Sequence, residues 1–379
     1  MENKKILFLS GTRADFGKLK SLISVSQQSS LFDVSIFVTG MHLQKEYGYT
    51  VNEIEKSGFK NIYTFENHTA ETSMDLTLSK TIEGLSAHVK QNKPDLIVVH
   101  GDRVEALAGA IVGSLNNILV GHIEGGEVSG TIDELIRHSV SKMSHIHFVC
   151  NQVAKNRLIQ MGEIDSHIFE IGSPDIDIMF SSKLPSIEKA KSRYEIPFEK
   201  YALLMFHPVT TEQELIENQI NDLIDAVLED ENNYVVIYPN NDMGSSTIIK
   251  AFSRLENNKR FRIFPSLRFE YFLTFLKNCQ FIIGNSSAGV REAPYYQKPS
   301  IDLGNRQKNR NKSESIINCN FGINEIANAI KQSQNLNNFE SPLAFGEGKS
   351  DQLFLDIIKD NSFWKIPCQK QFRDQKLAN

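Results

Sequence analysis

At 379 residues, 40% hydrophobic and 23% charged, the chain has the composition of a soluble globular protein with room for two domains of ordinary size. A net charge of −5 without a basic block argues against nucleic acid as a partner. Apolar runs of roughly 5–8 residues fall short of the ~20 that span a bilayer, and four scattered cysteines (Cys150, Cys279, Cys319, Cys368) have neither metal nor redox spacing, so a cytoplasmic protein without structural disulfides is expected.

From the N-terminus the pattern is strand, loop, helix, repeated. The apolar run after the first lysines is too short for a signal peptide and meets a Gly-Thr-Arg loop, so it reads as a first strand over 5–9. A loop over 10–16 and a helix over 17–26 follow. A strand over 33–38 leads into Thr39-Gly40-Met41-His42, then a helix over 43–56, a strand over 61–65 and a long helix over 72–91. Two central strands, 95–99 and 118–120, each end in polar residues. A strand over 146–149, a helix over 152–161 and a strand over 168–171 complete the half, closed by Gly172-Ser173-Pro174. This gives an N-terminal domain of 1–181. The segment 182–200, rich in Lys, Glu, Ser and Pro without a strong apolar period, reads as the interdomain linker.

The alternation then restarts in a C-terminal domain of 182–349. Strands are expected over 201–206 (ending at His207-Pro208), 234–238 (ending at Pro239-Asn240-Asn241), 261–264, 280–283 (ending at Gly284-Asn285-Ser286-Ser287) and 300–303 (ending at Gly304-Asn305-Arg306). Helices are expected over 212–228, 245–255, 269–276, 287–296 and near 323–332, with a helical tail over about 350–379. Strand–helix alternation at this spacing predicts an α/β protein of two Rossmann-like domains, their parallel sheets facing across a cleft.

The stretch 100–138, HGDRVEALAGAIVGSLNNILVGHIEGGEVSGTIDELIRH, gathers Asp102, Arg103, His122, Glu124, Glu127, Asp133, Glu134, Arg137 and His138 where a parallel sheet binds ligands. Gly101, Gly121, Gly125, Gly126 and Gly130 let the backbone turn there. Each carboxylate alone is commonly a solvated or paired group. Clustered at adjacent strand ends, they can raise one another's pKa and form an acid/base pair. His122-x-Glu124 invites comparison with zinc deaminases, but the later P-C-x-x-C is missing, and no HExxH or G-x-S-x-G is present.

Other loops suit a nucleoside diphosphate. Arg13 sits after the first strand, where Rossmann-type folds hold phosphate, yet the G-x-G-x-x-G of a tightly bound NAD is absent. GNSSAGVRE offers free N–H groups and the hydroxyls of Ser286 and Ser287 at a helix start, with an ordinary serine cap as the plainer alternative. Glu292 is placed to accept ribose hydroxyls, and Arg306 to pair with phosphate; a solvated glutamate and a surface arginine are the commoner cases. His207 and Asn240 end strands in the same half.

GTRADFGKL, TGMHLQKEYG, VHGDRVEALA, HIEGGEVSGTIDELIRH, HPVTT, GNSSAGVRE and LGNRQKNR, in register along nearly the whole chain, resemble hydrolysing UDP-N-acetylglucosamine 2-epimerases. The likeness extends both to the bacterial sialic-acid-pathway enzymes and to the epimerase part of the animal bifunctional epimerase/kinase. It implies a GT-B architecture with the C-terminal helix packed back on the N-terminal domain, no cofactor or metal, and a homodimer or homotetramer. It also implies UDP bound by Arg13, Lys18, His207, Asn240, Ser286, Ser287, Glu292 and Arg306. Asp102, Glu124 and Asp133 become the acid/base residues, with His42, Glu134, Arg137 and His138 near the sugar.

The chemistry is consistent with these residue types. The C2 proton of N-acetylglucosamine is not acidic, so direct exchange is implausible, and oxidation at C3 would call for NAD. Eliminating UDP first, with a carboxylate taking the C2 proton, yields 2-acetamidoglucal. Water addition with protonation on the other face gives N-acetylmannosamine. Three other readings stand beside it: the same chemistry on UDP-2,4-diacetamido-2,4,6-trideoxyglucose, a non-hydrolysing epimerase, and a GT-B glycosyltransferase. A UDP-sugar sensor without turnover is a further class. VHGDR and HIEGGEVSGTID resemble the hydrolysing branch more closely.

Overall fold

The computed structural model describes residues 3–374 except 69–72, 130, 183, 309, 311–312, 337–338, 340–344 and 372. Gly130, Thr72 at the expected start of the long helix, and the last residues of the expected tail lie outside that set. The chain divides into two compact units: Met1–Glu127, Asp133–Ser181 and Ala344–Asn379 in one, Val128–Ile132 and Ser182–Leu343 in the other.

The first unit is built on β1 (Lys4–Ser10), β2 (Phe32–Val38), β3 (Ile62–Thr64), β4 (Leu96–His100), β5 (Leu119–Ile123), β6 (Ile146–Val149) and β7 (Ile168–Glu170). All pairings are parallel, in the order β3-β2-β1-β4-β5-β6-β7. Their apolar residues, among them Ile6, Phe8, Val98 and Phe148, are buried from both faces, as a parallel sheet covered by helices demands. The order reverses between β1 and β4, the switch point at whose C-terminal strand ends such sheets usually bind ligands. The helix Ser350–Lys359 completes this core: Phe354 and Ile358 are fully buried, and the Phe354 ring lies 4.8 Å from that of Phe148. The returning chain passes close enough that a Cβ on Gly172 (φ +80°) would sit 3.1 Å from Gly346 Cα. Ser173 N–H then donates to Phe345 O at 2.7 Å.

The second unit repeats the plan with β8 (Ala202–Met205), β9 (Tyr234–Ile237), β10 (Phe261–Phe264), β11 (Ile282–Gly284), β12 (Ser300–Leu303) and β13 (Ile316–Cys319), parallel in the order β10-β9-β8-β11-β12-β13. Its switch point falls between β8 and β11, where Gly284 (φ +136°) is obligatory because a Cβ would lie 1.8 Å from Met205 O.

Several elements depart from the expectations. The first helix starts four residues early, Arg13–Gln28, because the Thr12 hydroxyl caps it by accepting from Asp15 N–H. The expected helix over 43–56 is two 3-10 turns, Gly40–Leu43 and Lys45–Tyr47, and a short helix Val51–Lys56, interrupted where Gly48 and Tyr49 turn left-handed. β5 runs on through Gly121, His122 and Ile123, so His122 is a strand residue rather than a strand-end one. The linker segment carries a capped helix, Ile187–Tyr194, which buries only Ala190 and so shows no apolar period. Residues 287–296 form two helices of four residues, Ser287–Val290 and Glu292–Tyr295, broken at Arg291. β13 and the helix Pro174–Met179 were not anticipated. Among the described residues, no helix is long and apolar enough to cross a membrane.

Candidate functional site

In the first unit, the switch point between β1 and β4 is where charge collects. Glu124 follows β5 and is 2% exposed, with its backbone left-handed at φ +63°. A non-glycine residue there costs about 1 kcal/mol, and such strain gathers at functional positions. Two bonds compensate: Glu124 N–H donates to Phe148 O at 2.9 Å, and Arg137 Nη1 donates to Glu124 O at 2.8 Å. The carboxylate is equally engaged. Ser173 Oγ donates to Oε1, Lys18 Nζ lies 3.8 Å from Oε1, and His100 Nε2 is 3.2 Å from Oε2.

His100 ends β4, and its Nδ1 is 3.3 Å from Asp15 Oδ1 on the helix after β1, so one imidazole bridges two carboxylates across the switch point. Burial alone would push this imidazole down; the charge of Glu124 and the contacts with Asp15 outweigh it and raise its pKa to about 9. It is therefore an imidazolium at neutral pH. Burial works against the Asp15 carboxylate, but His100 and Arg103 hold it below its ordinary value. Lys18 also pairs with the fully buried Asp175 at 3.2 Å.

Asp102 is gripped by Arg137 Nη2, so one guanidinium ties Asp102 to the Glu124 backbone. Arg137 is 2% exposed, in the helix Ile132–Met143 that also carries Asp133, Glu134 and His138. Asp133 and Glu134 occupy its first turn, where the helix dipole favours carboxylates. His138 Nε2 approaches Glu134 at 3.5 Å, both partly exposed. His42 is buried between Ser10 Oγ (2.9 Å) and Thr50 Oγ1 (2.6 Å), and burial drops its pKa to about 4, which keeps it neutral. Arg13 bonds Glu53 at 2.6 Å. His122 is an interior residue, between Ser141 Oγ (2.9 Å) and Gly101 O (2.8 Å), with burial lowering its pKa to about 3. No metal-holding cluster occurs among the described residues.

The second unit organises its strand ends around Asn285, which spans the β8/β11 switch point. Asn285 Oδ1 accepts from His207 N–H (2.7 Å) and its Nδ2 donates to His207 O (2.8 Å). Asn285 O accepts from Arg306 Nη1 (3.3 Å) and Gln307 Nε2 (2.9 Å). His207 Nδ1 accepts from Asn240 N–H at 3.0 Å, which assigns the ring proton to Nε2. Ser286 caps the following short helix, accepting from Ala288 N–H at 3.3 Å, with Ser287 beside it. The two-helix break weakens the dipole argument for an anion site and leaves the Ser286 and Ser287 hydroxyls and the loop N–H groups as candidate donors. Glu292 opens the second short helix, 3% exposed. On β12, burial pushes Asp302 up to about 7 against the pull of Arg306 and Arg310.

The UDP-N-acetylglucosamine 2-epimerase family model matches residues 25–359. The chain belongs to this family. It is 46% identical over 377 residues to the UDP-N-acetylglucosamine 2-epimerase of Neisseria meningitidis serogroup B, covering 99% of this chain and 100% of the relative. It is 34% identical over 360 residues to a hydrolysing UDP-N,N'-diacetylbacillosamine 2-epimerase of Legionella pneumophila, covering 94% and 96%. The Methanocaldococcus jannaschii UDP-GlcNAc 2-epimerase, solved with UDP-GlcNAc and UDP, superposes with a TM-score of 0.80 at 22% identity, covering 94% of this chain and 99% of that one. That likeness speaks for the shared fold of two parallel-sheet α/β domains.

Within this 2-epimerase frame, sequence reasoning missed four first-unit residues. His100 and Asp15 were visible as strand-end and loop positions but received no role. Ser173 and Asp175 received no role because Gly172-Ser173-Pro174 reads as closing the half, although polar residues after a strand are the signal used for the other loops. In the second unit, Asn285 lay inside a quoted motif and was overlooked. Lys18, expected at the UDP, faces Glu124 and Asp175.

Proposed function

We propose that this family member is a hydrolysing 2-epimerase, converting UDP-N-acetylglucosamine and water to N-acetylmannosamine and UDP in sialic-acid biosynthesis. The observation that carries it is the Glu124 cluster: a buried carboxylate, held in a strained backbone position by Arg137, with His100, Lys18 and Ser173 on its oxygens. A proton-transfer group needs this orientation.

In the first step a carboxylate of the Asp102, Glu124 and Asp133 set takes the C2 proton while the C1–O bond to UDP breaks. The C1=C2 bond of 2-acetamidoglucal forms as UDP leaves. Ser286, Ser287 and Arg306 stabilise the departing diphosphate; His207, Asn240 and Glu292 hold the nucleoside, the Glu292 carboxylate accepting ribose hydroxyls. In the second step water supplies hydroxyl to C1, and a proton reaches C2 from the opposite face, giving the manno product. Glu134 and His138, both partly exposed, are assigned to the sugar side, with Arg137 holding Asp102 beside Glu124 and His42 a buried neutral imidazole. The 34% relative whose name carries the hydrolysing activity supports this mode over epimerisation with UDP retained.

That same relative favours one second reading, a UDP-2,4-diacetamido-2,4,6-trideoxyhexose as substrate. Incubation with each UDP-sugar separately, followed by chromatography of the free hexosamines, tests both. Release of free N-acetylmannosamine from UDP-N-acetylglucosamine at the faster rate supports the proposal. Turnover confined to the diacetamido sugar would replace it with the second reading.

A further inference from the structure

The helix Ile132–Met143 carries Arg137, the residue that joins Asp102 to Glu124, and its far end is closed by the C-terminal segment of the chain. The last carbonyls of a helix lack partners within it and carry the negative end of its dipole. Here Lys370 Nζ lies 2.9 Å from Lys142 O, 2.7 Å from Ser144 O and 3.4 Å from Ser141 O, a charged cap delivered from more than 220 residues away. The same ammonium reaches Glu163 Oε2 at 2.5 Å, and Glu163 also takes Lys142 (3.0 Å) and His147 (2.9 Å). Burial works against ionised Glu163, but His147 and Lys370 hold its pKa down to about 2.

A second anchor sits beside the first. His145 Nδ1 accepts from Val120 N–H on β5 at 3.0 Å, so its Nε2 carries the proton and donates to Cys368 O at 2.8 Å. The segment is thereby tied at two points, to β5 and to the end of the helix. A 12-residue helix is a stiff rod about 18 Å long, so a shift at its C-terminal end is carried to Arg137 near its middle.

We infer that Lys370 is a positioning residue for the reaction: by capping the helix Ile132–Met143 it sets where Arg137 holds Asp102 and Glu124. This rests on the reading of Asp102 and Glu124 as the reacting carboxylates. A lysine in the C-terminal segment then governs turnover without touching substrate, while UDP affinity, assigned to second-unit residues, is independent of it.

Steady-state kinetics with UDP-N-acetylglucosamine test this in full-length Lys370→Met, Lys370→Gln and Lys370→Arg, with UDP binding by calorimetry and Arg137→Lys as reference. Lys370→Met is expected to lose about 10- to 100-fold in kcat, since misplacement of an ångström costs that order, with KM and UDP affinity within about twofold. Lys370→Arg, which keeps the charge, should recover most of kcat, and Lys370→Gln should fall between. Lys370→Met at parental kcat, whatever its melting temperature, overturns the inference; if that variant fails to fold, parental kcat in Lys370→Gln does so. A matching loss of UDP affinity would mark a global defect and overturn it equally. Impaired Arg137→Lys beside unimpaired Lys370 variants overturns the inference alone. Parental kcat in Arg137→Lys overturns the reading of the site, and the inference with it.

Discussion

Replacing His100 with glutamine removes a cation that bridges Asp15 and Glu124, leaving the buried Glu124 and the part-buried Asp15 facing a neutral amide. Breaking a buried charge pair from one side costs ~3–5 kcal/mol. The rise of the imidazole pKa from 6.5 to about 9 gives a similar figure, about 3 kcal/mol at ~1.4 kcal/mol per unit. Because the folded pKa is raised, this contribution is fully present below pH 6.5 and is lost as pH rises through about 9. The sole tryptophan, Trp364, packs against Phe32 of the first unit's core and donates to Ile358 O, so its fluorescence reports that unit. Urea titrations at pH 6, 7.5 and 9 should show the parent losing first-unit stability across the range. His100→Gln should be about 3 kcal/mol weaker at pH 6 and nearly flat in the same window. A variant within about 1 kcal/mol of the parent at pH 6, or one retaining the parent's pH slope, refutes the ion-bridge account.

Asp102→Asn is expected to bind UDP as the parent does and to lose ~10²–10⁴-fold in kcat, measured by UDP release beside calorimetry; retained turnover would remove Asp102 from the reacting set. Arg306→Ala should weaken UDP by about 10- to 100-fold, the worth of a charge-assisted hydrogen bond; unchanged affinity would contradict its assignment to the diphosphate. Asp177 accepts from Ser350 N–H (2.8 Å) and Asp351 N–H (2.9 Å), capping the helix that closes the first core. Asp177→Ala should therefore cost about 1 kcal/mol in urea titration, and an unaltered midpoint would show the cap to be idle.

The sheet plan was legible because buried parallel strands are short apolar runs, and polar strand ends announce the crevice. What escaped had physical reasons. β13 is an edge strand of four residues, with Asn318 exposed among its apolar positions. The helix over 287–296 reads as continuous by its pattern, and the one local sign of the break at Arg291 is Pro294, which has no N–H to donate to Val290 O. His122 reads as a strand-end residue because Gly121 suggests a turn, yet the strand continues and its ring serves interior bonds. The carboxylates of the site were readable as a cluster. Their partners were not, since Asp15 meets His100 and Ser173 meets Glu124 only through the sheet order. The Lys370 cap lies further still from any local pattern.

The central claim is tested most directly by running the reaction on UDP-N-acetylglucosamine in deuterium oxide and following it by proton NMR. Elimination and water addition predict free N-acetylmannosamine with one deuterium at C2, formed in step with UDP. Accumulation of UDP-N-acetylmannosamine, or free sugar that keeps its original C2 proton, would contradict it.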